Sequence, residues 1–105
     1  MDVAQAGTEA AGGLEGNAVL DAPWRLHPKV AVRPEPFGAL LYHFGTRRLS
    51  FLKNQTVVGI VRSLDQHPDA RRACAAAGVG QASMPVYAKA LATLADSNMI
   101  VRRDA

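Results

Sequence analysis

The sequence predicts a small α+β domain with a winged-helix-like order, a three-stranded antiparallel sheet followed by a three-helix bundle. Between residues 29 and 53, apolar residues alternate with other residues at a period of two, which is typical of strands. From residue 57 onward they recur at i, i+3, i+4 and i+7, which is typical of amphipathic helices. The three predicted strands come before the helices, and residues 99–101 are expected to close the domain as a short strand or a ragged end, which indicates an α+β fold.

The first 22 residues differ from the rest of the chain, because they contain four acids, no base and no aromatic residue. A stretch made mainly of Ala and Gly buries too little apolar surface to offset the entropy that is lost on ordering. We therefore predict a disordered tail over residues 1–22 and a folded domain over residues 23–105. Removal of residues 1–21 should then leave the stability of the domain, and its binding to a partner, nearly intact.

The positive charge lies entirely in the predicted domain, which has all twelve Lys and Arg residues against five acids, a net charge of +7. Such a domain favours an acidic partner, which could be nucleic acid, anionic lipid or an acidic peptide. The chain has no apolar run near the ~20 residues that a membrane helix needs, so no membrane partner is expected. Its one cysteine, Cys74, excludes an intramolecular disulfide and indicates a cytoplasmic protein.

The first predicted strand covers residues 29–33, and prolines lie on both sides of it. Proline has no backbone N–H to donate, so this strand should occupy a sheet edge that is closed to further pairing. The prolines concerned are Pro28, Pro34 and Pro36.

Two further strands follow, over residues 38–44 and 48–53, and they are joined by a turn at residues 45–47 in which Gly45 is free to take a positive φ. In meander order, the third strand lies at the edge opposite the first. That edge carries no proline between Phe37 and His67, so its backbone groups are open to an added strand.

Three amphipathic helices are predicted after the sheet. Asn54 or Thr56 caps the first, Pro68 begins the second, Gly78 ends the second, and Ser83 caps the third. Their apolar positions are, in turn, Val57, Ile60, Val61 and Leu64; Ala70, Ala73, Cys74 and Ala77; and Met84, Tyr87, Ala88, Leu91 and Leu94.

The residue types that usually carry chemistry are sparse and scattered. The histidines, His27, His43 and His67, lie far apart, and none is at metal-ligand spacing from another or from Cys74. Cys74 lies on an apolar helix stripe, which favours a buried thiol over a nucleophile. We therefore expect structural or solvated histidines, no metal, no cofactor and no enzymatic activity.

DNA binding is the main alternative function, since a helix–turn–helix order and a basic charge are typical of DNA-binding proteins. The third helix, however, offers only Lys89 before its C-terminal end to contact base edges. Arg71 and Arg72 would supply only two phosphate contacts, which give weak binding. The sequence therefore favours a function without a nucleic-acid partner.

Peptide binding by strand addition agrees better with the unguarded third strand. No acid occurs between Glu35 and Asp65, whereas basic residues do, which favours an acidic extended peptide. In a purely structural alternative, Leu49 and Phe51 cover the helical core and the basic side chains are solvated. An open edge also permits self-pairing into a homodimer. The basic residues are Arg47, Arg48, Lys53 and Arg62.

The stretch WRLHPKVAVRPEPFGALLYHFGTRRLSFLKN, residues 24–54, resembles the signature region of the mycofactocin peptide chaperone family, within the PqqD-like RiPP recognition elements. The resemblance runs to about residue 99. It implies a non-catalytic chaperone that binds the leader of a ribosomally made precursor peptide and presents it to a radical SAM maturase. The maturase decarboxylates and crosslinks the C-terminal Val-Tyr end of the precursor, and its iron–sulfur clusters and S-adenosylmethionine belong to that partner.

The resemblance also implies where the leader binds. Relatives generally hold it as an added strand beside the third strand and against the third helix, here residues 49–53 and 84–94. Proline at Ser50 or Leu52 should then abolish leader binding by deleting edge donors. The expected peptide-binding residues are Arg47, Arg48, Leu49, Ser50, Phe51, Leu52, Lys53, Val86, Tyr87 and Ala90.

Overall fold

The computed structural model describes residues 2–3 and 18–103. Short 3-10 helices cover Ala18–Asp21, Leu64–Gln66 and Gln81–Ser83. No helix in these residues is long and apolar enough to cross a membrane. The order of strands and helices confirms the predicted α+β class. In chain order the strands and helices are β1 (Asp2–Val3), β2 (Trp24–Leu26), β3 (Val30–Glu35), β4 (Gly38–His43), β5 (Leu49–Leu52), α1 (Gln55–Ser63), α2 (Ala70–Ala76), α3 (Met84–Asp96) and β6 (Ile100–Arg102).

The strands form two sheets within the described residues. The larger sheet has the order β1–β5–β4–β3, and its antiparallel meander of β3, β4 and β5 confirms the predicted three-stranded sheet. The smaller sheet pairs β2 with β6, so of the two alternatives for the end of the domain, a short strand or a ragged end, the strand is the one that forms, whereas β2 was not predicted. β1 lies parallel to β5, and the edge that was predicted to be open therefore has a neighbour.

β3 is the guarded edge that the sequence predicted, although it continues through Pro34 to Glu35. The Phe44 N–H donates to the Lys29 carbonyl oxygen (2.8 Å), so Lys29 and Phe44 form a hydrogen-bonded pair. In an antiparallel ladder such pairs alternate with non-hydrogen-bonded ones, so every second pair of β3 and β4 beyond Lys29 and Phe44 is hydrogen-bonded. Pro34, opposite Ala39, falls between these pairs. Its missing N–H therefore lies on the outer side, where it removes a donor from the edge without breaking a bond to β4.

The turn between β4 and β5 forms without use of the conformational freedom of Gly45. The positive φ falls at Arg47 (64°) and not at Gly45, because His43 organises the turn from its beginning. The His43 Nδ1 atom accepts hydrogen bonds from the N–H groups of Gly45 and Thr46, and the His43 carbonyl oxygen accepts one from Arg47. Of the two roles expected for the histidines, structural or solvated, His43 therefore has the structural one.

The helix boundaries follow local capping. Asn54 caps α1, since its Oδ1 atom accepts a hydrogen bond from a first-turn N–H (2.9 Å). The N-cap of α2 is Asp69, and Pro68 precedes the helix instead of beginning it, because the Asp69 carboxylate accepts the first-turn bond. Gly78, with a φ of 90°, follows α2 as predicted. Ser83 stands at the predicted cap position of α3 without a side-chain cap bond.

Residues 18–22, which the sequence assigned to the disordered tail, belong to the folded domain. Val19 and Leu20 are fully buried in the core, and the Trp24 Nε1–H donates to the Val19 carbonyl oxygen (2.8 Å). Burial of these two aliphatic side chains stabilises the folded domain. The prediction missed it because it used the composition of residues 1–22 as a whole. The boundary predicted at residue 22 is therefore too late. Apart from β1, the rest of the predicted tail lies outside the described residues.

The helices cover one face of the larger sheet. Ala39, Leu41 and Leu52 point from β4 and β5 into a core that they share with all three helices. Because side chains alternate along a strand, Leu49 and Phe51 lie on the opposite, outer face. The structural alternative, in which Leu49 and Phe51 cover the helical core, is therefore wrong.

Candidate functional site

The outer side of β5 is defined by the hydrogen bonds on its inner side. The His43 N–H donates to the Arg48 carbonyl oxygen (3.0 Å), so the next hydrogen-bonded pairs with β4 fall at Ser50 and two residues later. The N–H and C=O groups of Leu49 and Phe51 therefore point away from β4. These outward groups are the ones that an added strand would bind.

Ser50 and Leu52 have a different place from the one that the sequence suggested. Their backbone groups face β4, and their side chains are fully buried on the inner face of the sheet. Proline at either position, expected to delete edge donors, would instead break the ladder between β4 and β5. The edge donors belong to Leu49 and Phe51.

An apolar hollow of about 370 Å³ lies beside β5, and its lining among the described residues is Phe37, Phe51 and Lys53. The two phenyl rings are tilted by 56°, with their centroids 6.1 Å apart. Phe37 is 45% exposed, so the hollow opens to solvent. It can accept one aliphatic or aromatic side chain beside the positive charge of Lys53.

Phe37 was not among the residues singled out from the sequence. It lies between β3 and β4, in a tight turn that also holds Pro36. Strand periodicity says nothing about a turn residue, and the prediction therefore passed over it. The available signal was an aromatic residue in a turn, where large apolar side chains stay exposed unless something covers them.

Two buried polar atoms on the inner face, Ser50 Oγ and His43 Nε2, have no hydrogen-bond partner within the described part of the chain. Ser50 is opposite Leu41, so His43 is its diagonal neighbour on the same face. A buried polar atom without a partner costs on the order of 1–3 kcal/mol. A polar group that reached beneath β5 would recover part of that free energy.

Basic residues lie at both ends of β5. Arg47 and Arg48 precede the strand and Lys53 follows it, and all three are exposed. An acidic peptide that lies along β5 would therefore meet positive charge at each end.

The three residues predicted on α3 have different environments. Val86 is 63% exposed, Tyr87 is half-buried against the core, and Ala90 is buried outside the main core cluster. The main helical neighbour of β5 is α1, whereas α3 packs against β6, α2 and the 3-10 helices. The structure thus brings residues 47–53 together along one edge and leaves the α3 residues outside that group.

The residues of the DNA-binding alternative are dispersed. The Arg71 guanidinium forms an ion pair with Asp21 (3.0 Å), and Arg72 follows it on α2, whereas Lys89 is exposed on α3. One of the two expected phosphate contacts is thus already neutralised by a carboxylate.

Cys74 is fully buried, and burial raises the pKa of its thiol to about 11. The thiol is therefore protonated at neutral pH and is a poor nucleophile. In residues 2–3 and 18–103, no group of three His, Cys, Asp or Glu residues is placed to hold a metal ion. Cys74 acts as a small apolar residue of the core.

Comparison with known proteins relates the chain to one family. The profile of the Peptide chaperone MftB family matches residues 23–101. The protein named Peptide chaperone MftB from Mycobacterium ulcerans (strain Agy99) is 62% identical over 85 residues, which cover 81% of this chain and 78% of that protein. The proteins of the same name from Mycobacterium tuberculosis (strain ATCC 25618 / H37Rv) and Mycolicibacterium smegmatis (strain ATCC 700084 / mc(2)155) are 61% and 65% identical, over 79% and 77% of this chain and 76% and 79% of their own lengths. No solved structure matches significantly.

Proposed function

The chain belongs to the Peptide chaperone MftB family, and on that basis we propose that it binds the leader of the mycofactocin precursor peptide as a strand added to β5 and delivers it to a radical SAM maturase. A peptide chaperone holds its substrate without changing it, and the chain is not an enzyme. The observation that supports strand addition most directly is the outward direction of the Leu49 and Phe51 backbone groups.

The leader gains affinity from the backbone and from one side chain. Each hydrogen bond to Leu49 or Phe51 contributes a net of about 0.5–1.5 kcal/mol. Alternate leader side chains lie on the outer face, where the hollow at Phe37 can bury an apolar anchor worth about 1.5–3 kcal/mol. Acidic leader residues near Arg47 and Lys53 mainly speed association.

The interface is small. A strand of about eight residues buries no more than the low end of specific interfaces, roughly 1,200 Å². The leader also loses conformational entropy when it becomes a strand. Affinity therefore depends on the anchor in the hollow more than on the buried area.

Delivery to the maturase follows from tethering. When the chaperone holds the leader and also binds the maturase, the reactive end of the precursor reaches an effective concentration on the order of millimolar. Radical chemistry takes place on the maturase, so this chain needs no cofactor of its own. The single cysteine agrees with a complex that forms in the cytoplasm.

Phe51→Pro tests strand addition, with Phe51→Ala as its matched control. Both variants lose the aromatic ring, but only proline removes the outward N–H of this residue. We expect Phe51→Pro to bind a fluorescent synthetic leader about tenfold more weakly than Phe51→Ala, measured by anisotropy. Circular dichroism should show unchanged helix content in both. Equal affinities of the two folded variants would contradict strand addition at β5.

A scan of N-methylated leaders gives a second test that does not depend on a proline variant. In an added strand, only alternate leader N–H groups point toward β5. We expect N-methylation to weaken binding at every second position of the bound segment. The proposal fails if the effect has no such period.

A random DNA duplex is the probe for the alternative function. Binding of the leader without binding of the duplex, at physiological ionic strength, would support the peptide proposal. Binding of the duplex alone, with NMR shifts centred on Arg71, Arg72 and Lys89, would reverse it in favour of DNA.

A further inference from the structure

The edge of β5 already holds a strand of this chain. In β1, Asp2 is opposite Ser50 and Val3 is opposite Phe51, in parallel register. Phe51 is also the residue whose outward backbone groups are assigned above to leader binding. We propose that β1, at the start of the N-terminal segment of residues 1–17, is an internal competitor that occupies the β5 edge until the leader displaces it, an inference that rests on the proposed function.

The charge of the segment supports this role. Residues 1–17 contain three acids, Asp2, Glu9 and Glu15, and no base. They are attached to a domain whose β5 has basic residues at both ends. An acidic leader and an acidic N-terminal segment therefore experience the same attraction and compete for the same edge.

The length of the connection allows the segment to reach β5 and to leave it. Residues 4–17 separate β1 from the 3-10 helix that begins at Ala18, and an extended chain of that length spans up to about 50 Å. The largest dimension of the molecule is 32 Å. Release from β5 and return to it therefore require no change in the folded domain.

The pairing is weak enough for displacement. Only Asp2 and Val3 pair with β5 in the described residues, and the main contacts of β1 are with β5. Tethering nevertheless holds the segment near β5 at an effective concentration on the order of millimolar, so weak pairing still competes with a free leader.

The same contact has a protective consequence. An unpaired strand edge is a template for pairing with another chain, and natural proteins cover or blunt such edges. Proline blunts β3 at one edge of the sheet, and β1 covers β5 at the other. In the absence of leader, β1 would therefore oppose self-pairing of two copies through β5.

The test uses the full chain with Val3→Pro and Ala4→Pro, which disrupt β1 but keep the length and every acid of the segment. The control carries the same change at Ala10 and Ala11, outside β1. We expect the β1 variant to bind a fluorescent synthetic leader about three- to tenfold more tightly than the native chain, because a larger fraction of the protein has an open edge. The control variant should bind like the native chain, and the urea midpoints of all three should agree.

A second variant, which lacks residues 2–17 and keeps residues 18–22, should show the same gain in affinity. If the β1 variant and the native chain bind the leader equally, the internal competitor is wrong and the proposed function stands. If none of the proteins binds the leader, the proposed function itself is wrong. A gain in affinity that increases with protein concentration would assign β1 to a second copy and overturn competition within one chain.

Discussion

Gly38 determines how β4 begins. A Cβ atom at this position would overlap the carbonyl oxygen of Leu52 and lie 3.1 Å from the backbone N atom of Asn54. The glycine lets β4 pack directly against the segment where β5 ends and α1 begins. The same segment carries Phe51 and Lys53, so a residue without a side chain positions part of the hollow.

Gly38→Ala should lower the free energy of unfolding by about 1–3 kcal/mol, because the added methyl group must displace backbone atoms instead of a flexible side chain. Gly59→Ala is the matched control, since a Cβ atom there meets nothing within 4 Å. In a helix, alanine is favoured over glycine by up to about 1 kcal/mol. Urea unfolding followed by the fluorescence of Trp24 measures both variants. Equal stabilities would contradict the close approach at Gly38.

Among the elements, those set by local patterns could be predicted from the sequence. Alternation, prolines and caps act within a few residues, and they predicted β3, β4, β5 and the three helices. β2 could not be predicted, because its three residues become a strand only by pairing with β6 at the far end of the chain. The 3-10 helix that contains Val19 and Leu20 is ordered by the core into which those side chains insert.

The position of the candidate site could be predicted from the sequence, but its detailed geometry could not. The missing prolines identified β5 as an edge that can accept a strand, which is a local property. Which residues point outward depends on the register with β4. Ser50 and Leu52 were therefore expected to supply the edge donors, whereas the outward N–H groups are those of Leu49 and Phe51. The hollow at Phe37 and the pairing of β1 arise from contacts between distant segments, which no local pattern encodes.

Removal of residues 1–21 should destabilise the protein, contrary to the expectation from the sequence. The deletion takes away Val19 and Leu20, each of which contributes about 1.5–3 kcal/mol through burial, and the acceptor of the Trp24 Nε1–H. Removal of residues 2–17 is the control and should leave the urea midpoint unchanged. If the two shortened proteins are equally stable, the 3-10 helix is dispensable and its assignment to the domain is wrong.

Negative charge lies at the N-terminal end of the chain, and positive charge lies in the rest of the molecule. Residues 1–22 have a net charge of −4 and the remaining residues one of +7. In physiological salt, such a field extends over a Debye length of about 8 Å. It therefore acts on a charged peptide just before contact and influences the rate of association more than the final affinity.

Arg47→Glu should slow association of the leader several-fold at low salt and flatten the salt dependence of the rate. Arg33→Glu is the charge-matched control, because Arg33 lies on β3 at the opposite edge, where it pairs with Glu35 (3.1 Å). Stopped-flow fluorescence with a labelled leader measures both rates. Equal slowing by the two variants would show that steering depends on net charge and not on the position beside β5.

The pairing of β2 with β6 has a mechanical consequence. Trp24 is opposite Arg102, and the Arg103 N–H donates to the Pro23 carbonyl oxygen (3.1 Å). The N-terminal end of β2 therefore lies beside the C-terminal end of β6. A force applied between the N-terminal end of β2 and the C-terminal end of β6 therefore opens this sheet pair by pair, instead of shearing all its bonds together. As it opens, the Arg103 guanidinium leaves the His67 carbonyl oxygen (2.7 Å) and frees the segment before α2. Traction between residue 18 and the C-terminal end of β6 is therefore expected to open the pair of β2 and β6 first.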